Sequence, residues 1–185
     1  AIHPEGERSE YFFIEYIEPF AENRRAFGLD AGTQAANRES LIASRDSGRT
    51  YLTPPFQLVQ TRPGELGLVL RAPVYRNGAP LDTVGQRRAA LTGFVGITLE
   101  ADGIFGDILA APAYAGLRAV IRDLGSAVAD VAAGTEPQEI TGGGSNITAL
   151  LANTRTVEAN GRLWELSLAA GETWSLSVST RCAMT

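Results

Sequence analysis

The feature that most limits what this chain can fold into is a ten-residue segment, Leu66–Tyr75, in which apolar residues alternate with other residues. Because successive side chains of a β-strand point to opposite faces of a sheet, this period of two predicts a strand. Its even-numbered residues share one face, and Val69, Arg71 and Tyr75 share the other. Such alternation is typical of antiparallel sheets and disfavours a parallel, doubly wound fold.

Local signals mark the other elements. Residues 35–47 predict a helix that Gly48 is suited to end. Leu41, Ile42 and Arg45 share one face of this helix, and polar residues fill the other. Further strands are predicted at 11–17, irregularly within 50–60, and at 89–99, 117–124, 147–152, 154–159, 162–169 and 174–179. A short helix is predicted at 104–111, and loops at 130–138 and 141–146, the second of which contains a glycine triplet.

The predicted elements fall into two blocks, and we expect a subdomain boundary near residues 100–115. Each block contains an Asn-Gly turn, Asn77-Gly78 in the first and Asn160-Gly161 in the second. The Asn160-Gly161 turn lies between two predicted strands, where this dipeptide strongly favours a β-hairpin. The aromatic run 11–13 is expected to lie in the core of the first block.

Composition excludes several classes of function. The 185 residues carry 16 cationic and 21 acidic side chains, a net charge of −5, which argues against a surface for nucleic acid or anionic membranes. All the cations are arginines, so chemistry that needs a lysine is absent. With His3 and Cys182 the sole members of their types, neither a zinc site nor a Ser-His-Asp triad is expected. We therefore predict no catalytic residues, no metal and no cofactor.

No apolar run reaches the roughly 18 residues that span a bilayer. The chain begins with Ala1, and we expect it to be a processed piece of a longer protein. The single cysteine cannot form an internal disulfide, so cysteine usage does not identify a compartment.

One ordered series of short motifs runs through about residues 11–99. In chain order these are Tyr16-Ile17-Glu18-Pro19, Asn23, Gly28-Leu29-Asp30, Asn37-Arg38, Gly48, Leu52-Thr53-Pro54-Pro55-Phe56, Gly67, Pro73-Val74-Tyr75 and Gly93-Phe94-Val95-Gly96. In this order and spacing the series resembles the CHASE domain, the extracytoplasmic sensory domain of receptor histidine kinases and diguanylate cyclases. Residues 100–185 match that family only loosely.

The resemblance implies an α+β fold of two PAS-like subdomains, each an antiparallel sheet with flanking helices. Residues 1–103 form the membrane-distal, ligand-binding subdomain in this interpretation, and 104–185 the membrane-proximal one. The implied function is to sense a small molecule in the periplasm or outside the cell, as a domain of a bacterial inner-membrane receptor. The fragment itself is not an enzyme in this interpretation. The parent receptor is expected to form a homodimer through a missing N-terminal helix, whereas the fragment alone is expected to dimerise weakly or not at all.

The resemblance also points to ligand-binding positions, which are Asn37, Thr53, Val59, Arg71 and Phe94. Plant members that bind cytokinins carry Asp where Asn37 aligns and a small hydroxyl residue where Arg71 aligns. Both departures make the site more cationic, which disfavours an adenine hormone and favours a carboxylate. Two placements of Arg71 stay open, one in the pocket and one on the solvent face beside a surface acid. The Thr53 hydroxyl either caps local backbone or faces the cavity. Phe94 is expected to pack in the core whether or not it also lines the pocket.

Two other classes of function are open. The chain is alternatively a ligand-free structural or dimerisation module, which the lack of a cavity of about 300 Å³ in the first block would favour. An enzyme would need two converging carboxylates with separated pKa values, and Glu15, Glu18 and Glu22 are the candidates.

Overall fold

The computed structural model describes residues 2–101, 103, 106, 117–127, 137–144 and 151–170, and the account below concerns these residues. They form two four-stranded antiparallel sheets. Three α-helices with described bounds accompany the first sheet, α1 (Phe20–Asn23), α2 (Ala35–Ser47) and α3 (Val84–Ala90). Two short 3-10 helices, Arg24–Ala26 and Ala31–Thr33, lie between α1 and α2. The predicted α+β architecture of two antiparallel sheets with helices is confirmed.

The first sheet is built around one long central strand. Its strands are β1 (Tyr51–Leu52), β2 (Phe56–Gln57), β3 (Leu66–Tyr75) and β4 (Leu91–Glu100). β1 and β2 pair with successive parts of one edge of β3, and β4 pairs with the other edge along its length. The predicted strand at 66–75 is confirmed at both ends, and the proline-containing segment 50–60 supplies the two short edge strands.

The second sheet has the order β6-β5-β8-β7. Its strands are β5 (Leu117–Ser126), β6 (Gln138–Gly144), β7 (Leu151–Ala159) and β8 (Arg162–Ala170). Asn160 and Gly161 join β7 to β8 with φ of 46° and 82°. Two successive positive φ values suit the tight hairpin that the Asn-Gly pair predicts.

Helix α2 buries a face that is mostly polar. It ends at Gly48, whose φ of 75° is left-handed, as the sequence predicts. Its buried residues recur with the spacing of one helical face and are Asn37, Ser40, Leu41, Ser44 and Arg45. The expectation that polar residues fill only the opposite face is therefore wrong. Three of the four polar residues on the buried side are small or neutral, and they make hydrogen bonds there.

The two faces of β3 have different neighbours, as its alternation predicts. Leu68, on the even-numbered face, belongs to a core cluster that also contains Ile121 of β5 and Ile140 of β6. The odd-numbered face is turned toward α2, since the Tyr75 hydroxyl donates to the Arg45 carbonyl at 2.5 Å. The first sheet thus packs against the second sheet on one side and against α2 on the other.

The prediction of a strand at 11–17 is wrong. Residues 2–18 form no strand and make only isolated bridges, such as that between Phe13 and Asp30. Their backbone groups bond to the turn-rich segment 28–31 rather than to a sheet edge. Tyr11 and Phe13 are 38% and 44% exposed, so the expectation that all of 11–13 lies in the core is wrong as well. Only Phe12 of this run turns inward, against Phe94.

Two further predictions need correction, and one helix lacks a prediction. Residues 141–144 are not a loop but part of β6, because the backbone of the glycines pairs with β5 even though glycine has no side chain to pack. The strands predicted at 147–152 and 154–159 are not separate where the structure describes them, since β7 continues through Asn153. Helix α3 was not expected, although Thr83 and Gln86 form a reciprocal capping box that marks its start. The predicted strand at 174–179, the loop at 130–136 and most of the helix at 104–111 lie outside the described residues.

Candidate functional site

Arg71 is buried between β3 and α2. It is 6% exposed and lies on the odd-numbered face of β3, opposite Tyr51 in β1 and Gly96 in β4. Its guanidinium donates a hydrogen bond to the side-chain oxygen of Asn37 on α2. Its carbonyl also accepts a bond of 3.4 Å from the Ser44 hydroxyl. The placement of Arg71 on the solvent face is therefore wrong.

A neighbouring amide fixes the orientation of Asn37. The Asn37 side-chain nitrogen donates to the Gln34 side-chain oxygen at 2.5 Å, and Asn37 is 4% exposed. With its nitrogen engaged in this way, the amide presents its oxygen to Arg71. Gln34 was not predicted as part of the site, although its position three residues before Asn37 places both residues on neighbouring turns.

The guanidinium of Arg71 lacks an acidic partner among the described residues, unlike the other buried arginines there. Arg45 donates to Glu10 and to Asp46, both at 2.8 Å, and Arg162 pairs with Asp123 and Glu39. Arg71 has a neutral amide in place of a carboxylate. Burial lowers the pKa of Arg71 to about 10, which still leaves the group charged at neutral pH. The result is a buried cation that is only partly compensated.

Phe94 and Gly96 form the part of β4 that lies beside Arg71. Gly96 pairs with Arg71, and Phe94 is two residues away on the same face. A Cβ atom at Gly96 would lie 3.7 Å from the Arg71 Cβ atom, so the glycine keeps this surface free of side-chain atoms. The ring of Phe94 meets that of Phe12 edge to face, with centroids 5.9 Å apart. Phe12 and Gly96 are thus neighbours of the site that the sequence did not reveal.

Thr53 is fully buried directly after β1, and its hydroxyl forms a hydrogen bond with the backbone of β3. Its hydroxyl oxygen accepts a hydrogen bond from the Val69 amide at 2.9 Å, and its own amide donates to the Val69 carbonyl at 3.0 Å. Thr53 therefore extends the pairing between β1 and β3. Of the two interpretations of this side chain, local capping agrees with these contacts.

Val59 lies apart from the other predicted site residues. It lines a cleft of about 370 Å³ together with Arg25, Gln57, Leu58, Thr61, Pro63 and Gly64. A second cleft of about 430 Å³ lies where α2 and β1 approach the β7–β8 hairpin, and it is lined by Gly48, Arg49, Thr50, Tyr51, Glu158, Asn160 and Gly161. Neither cleft is lined by Arg71 or Asn37. The structure therefore brings Asn37 and Arg71 into contact, places Phe94 on the adjoining strand β4 and Thr53 directly after β1, and separates Val59 from them.

Metal-ligating and acidic side chains are the other candidates for a functional site in this part of the chain. Within the described ranges, no group of three His, Cys, Asp or Glu side chains could hold a metal ion. Glu15, Glu18 and Glu22 are all exposed, and Glu18 accepts hydrogen bonds from the Tyr16 hydroxyl and the Phe20 amide. None of the helices described is long and apolar enough to cross a membrane.

Comparison with known proteins identifies the family. The CHASE domain family model matches residues 1–138. Probable histidine kinase 4 of Oryza sativa subsp. japonica is 35% identical over 97 residues, which is 52% of this chain and 8% of that protein. Histidine kinase 3 of Arabidopsis thaliana is 26% identical over 110 residues, 59% of this chain and 10% of that protein. This chain thus spans a tenth or less of the length of these relatives. The extent of the family match shows that the chain belongs to the CHASE domain family.

Proposed function

We propose that this chain senses a small organic anion, such as a carboxylate, as the ligand-binding domain of a bacterial membrane receptor. CHASE domains are extracytoplasmic sensory domains with no catalytic activity of their own, which supports the sensory part of the proposal. The plant relatives are named histidine kinases, which supports a kinase as the output domain. A diguanylate cyclase is the other output domain in this proposal.

In this proposal the receptor is anchored in the inner membrane, with this domain in the periplasm, and it is a homodimer through a helix that precedes the present chain. Residues 1–103 are the membrane-distal subdomain and bind the ligand. Residues 104–185 are the membrane-proximal subdomain and pass the response toward the membrane. The two separate sheets support this division.

The observation that carries the proposal is the buried guanidinium of Arg71 without an acidic partner in the described residues. Removing a charge from water is costly unless the charge is paired. A carboxylate can accept two parallel N–H bonds from a guanidinium and would supply the missing negative charge. An uncharged adenine-like ligand would leave the charge of Arg71 uncompensated, as the neutral amide of Asn37 already does. The site therefore favours an anion of small size.

Arg71 and Asn37 are almost fully buried, and both clefts lie elsewhere. A ligand that reaches the guanidinium must consequently displace part of what covers it. Binding is then coupled to movement of the neighbouring elements, which is what a sensory domain requires.

A thermal-shift screen at neutral pH tests this function. The probes are acetate, pyruvate, succinate and citrate, compared with adenine and glycerol, each applied to the wild type and to Arg71→Ala. At one hundred times its Kd, a ligand adds about 2.7 kcal/mol of stability, which raises Tm by about 5–10 °C in a chain of this size. We expect one of the carboxylates to do so and Arg71→Ala to abolish the shift. Arg122→Ala, which removes a half-buried arginine of the second sheet, is the matched control and should keep it.

The proposal is wrong if adenine gives the largest shift, or if Arg71→Ala leaves the response to a carboxylate intact. A structural or dimerisation module without a ligand is the alternative. The closed surroundings of Arg71 favour it, whereas the cleft of about 370 Å³ beside Val59 in the first block speaks against it. Its signature is the absence of any shift together with a dimer of this fragment in light scattering at micromolar concentration.

A further inference from the structure

Helix α2 contacts both halves of the described structure through two residues on opposite sides. Asn37 bonds to Arg71 in the first sheet, and Glu39 forms an ion pair with Arg162 of the second sheet. Residues two apart in a helix differ by about 200° in direction. The helix therefore contacts both the candidate ligand site and the start of β8 in the second sheet.

The contact with the second sheet is made by a buried and fully engaged arginine. Arg162 is the first residue of β8, and its side chain is 4% exposed. Two of its nitrogens bond to the two carboxylate oxygens of Asp123 in β5, the Nε contact being 3.1 Å long. A further nitrogen donates to Glu39 at 3.0 Å. Because Asp123 holds the guanidinium in place, Arg162 can respond to movement of Glu39 only by straining this network.

The turn between β7 and β8, directly before Arg162, is attached to β1 of the first sheet. The Leu52 amide of β1 donates to the Asn160 carbonyl at 3.0 Å, and the Ala127 amide, just after β5, donates to the Gly161 carbonyl at 2.8 Å. The ring of Tyr51 packs so closely on Gly161 that a Cβ atom there would lie 2.3 Å from it. The bond from Leu52 to Asn160 and the packing of Tyr51 on Gly161 form one junction between the sheets, and the bond from Ala127 to Gly161 holds the hairpin against β5 within the second sheet. The ion pair of Glu39 with Arg162 connects α2 to this junction.

We propose that α2 transmits occupancy of the Arg71 site to the second sheet through the ion pair between Glu39 and Arg162. The inference rests on the proposed function, because it takes Arg71 as the group that a ligand engages. An anion that pairs with Arg71 changes the strength of the hydrogen bond between the guanidinium and Asn37. The position that α2 prefers relative to β3 therefore changes as well. Glu39 lies on the same rigid helix, so that change also alters its pairing with Arg162. Packed elements joined by ion pairs can carry such coupling between sites.

The test uses no ligand, so its outcome is independent of whether a carboxylate binds. Asn37→Asp places a carboxylate against the Arg71 guanidinium and imitates the charge of the proposed ligand. Amide hydrogen exchange of Leu52 and Ala127 reports on the junction, and urea unfolding of each variant corrects the rates for global stability. We expect Asn37→Asp to slow exchange at both amides by about tenfold, a typical size for coupling between sites.

The same substitution is then made in two backgrounds. Glu39→Gln should remove the slowing, because it neutralises the carboxylate that contacts Arg162. Glu165→Gln is the matched control, since it breaks a 3.0 Å ion pair with Arg122 within the second sheet, and it should leave the slowing unchanged. Glu39→Ala serves as a second variant that deletes the contact, with the same loss expected.

Three results would overturn the inference. The first is that Asn37→Asp still slows amide exchange in both Glu39 variants. The second is that Glu165→Gln removes the slowing of exchange as completely as the Glu39 variants do. The third is that Asn37→Asp does not change exchange at Leu52 and Ala127 in the wild-type background. A failed carboxylate screen would instead overturn the proposed function and leave this measurement as it stands.

Discussion

The guanidinium of Arg71 donates a hydrogen bond to the amide oxygen of Asn37, and the two residues are only 6% and 4% exposed. A neutral amide satisfies one donor of the guanidinium but supplies no opposite charge. Arg162, which is buried to the same extent, has two carboxylates. Two buried arginines of one chain thus differ in whether their charge is compensated within the described residues, and this difference leads to the first prediction.

Replacing each of these arginines by methionine should have unequal effects on stability. For Arg71→Met we expect a change of less than about 1 kcal/mol in the free energy of unfolding, because relief of the buried charge offsets the lost hydrogen bond. For Arg162→Met we expect a loss of about 3–5 kcal/mol, since Asp123 is left buried without its partner. Urea unfolding of both variants measures the two values. Equal losses would show that the charge of Arg71 is compensated as well as that of Arg162.

The second prediction concerns the charge of the site. Asn37→Asp should abolish stabilisation by whichever carboxylate is active in the screen, because the new side chain occupies the guanidinium and repels a second anion. Asn153→Asp is the matched control, since it makes the same change of charge at an exposed position of β7. Thermal shifts of the two variants with that carboxylate should therefore differ. A shift that survives in Asn37→Asp would place the anion away from Arg71.

A pH-dependent contribution is expected from Asp46 at the end of α2. The hydrogen bond from Arg88, aided by Arg45, lowers the pKa of Asp46 from 3.8 to about 2. Because the pKa is lower in the folded state, Asp46 stabilises the fold above about pH 4 and loses this effect as the pH falls toward about 2. Wild type should therefore exceed Asp46→Asn in stability at neutral pH, and the difference should shrink between about pH 4 and 2.

Urea unfolding at several pH values measures this difference between wild type and Asp46→Asn. Arg88→Ala provides the control, since it removes the largest cause of the lowered pKa. Its pH profile should lie closer to that of Asp46→Asn. A difference between wild type and Asp46→Asn that stays constant down to about pH 2 would contradict the assignment.

The junction of the sheets supplies the fourth prediction. Gly161 has a φ of 82° and leaves no room for a Cβ atom beside Tyr51, whereas Gly78 has a φ of 74° and no atom within 4 Å of such a Cβ. Gly78→Ala should cost only the left-handed strain, about 1–2 kcal/mol. Gly161→Ala should cost about 1–3 kcal/mol more, because the ring of Tyr51 must also move. Equal losses in urea unfolding would mean that Tyr51 adapts freely.

Local patterns predicted several elements of the first sheet and its helix with accurate limits. The strand at 66–75 follows from its period of two, and the helix at 35–47 ends at Gly48, as expected from the left-handed backbone that glycine adopts readily. The prediction of a strand at 11–17 fails because β-propensity reports how well side chains fit a sheet and not whether a sheet edge is available. The backbone of that segment bonds to residues 28–31 instead.

Local sequence patterns are sufficient for the alternation of β3, the limits of α2, the hairpin at Asn160-Gly161 and the order of motifs that marks the family. Each of these is set by residues close together in the chain. That α2 turns a polar face inward follows only from the packing of the folded chain, because hydrophobic periodicity identifies a buried face only when that face is apolar. The same packing also decides that Arg71 has an amide partner while Arg162 reaches Glu39, 123 positions away in sequence. Charge compensation of a buried group depends on which distant side chains the packing brings within a few ångströms, and no local pattern contains that information.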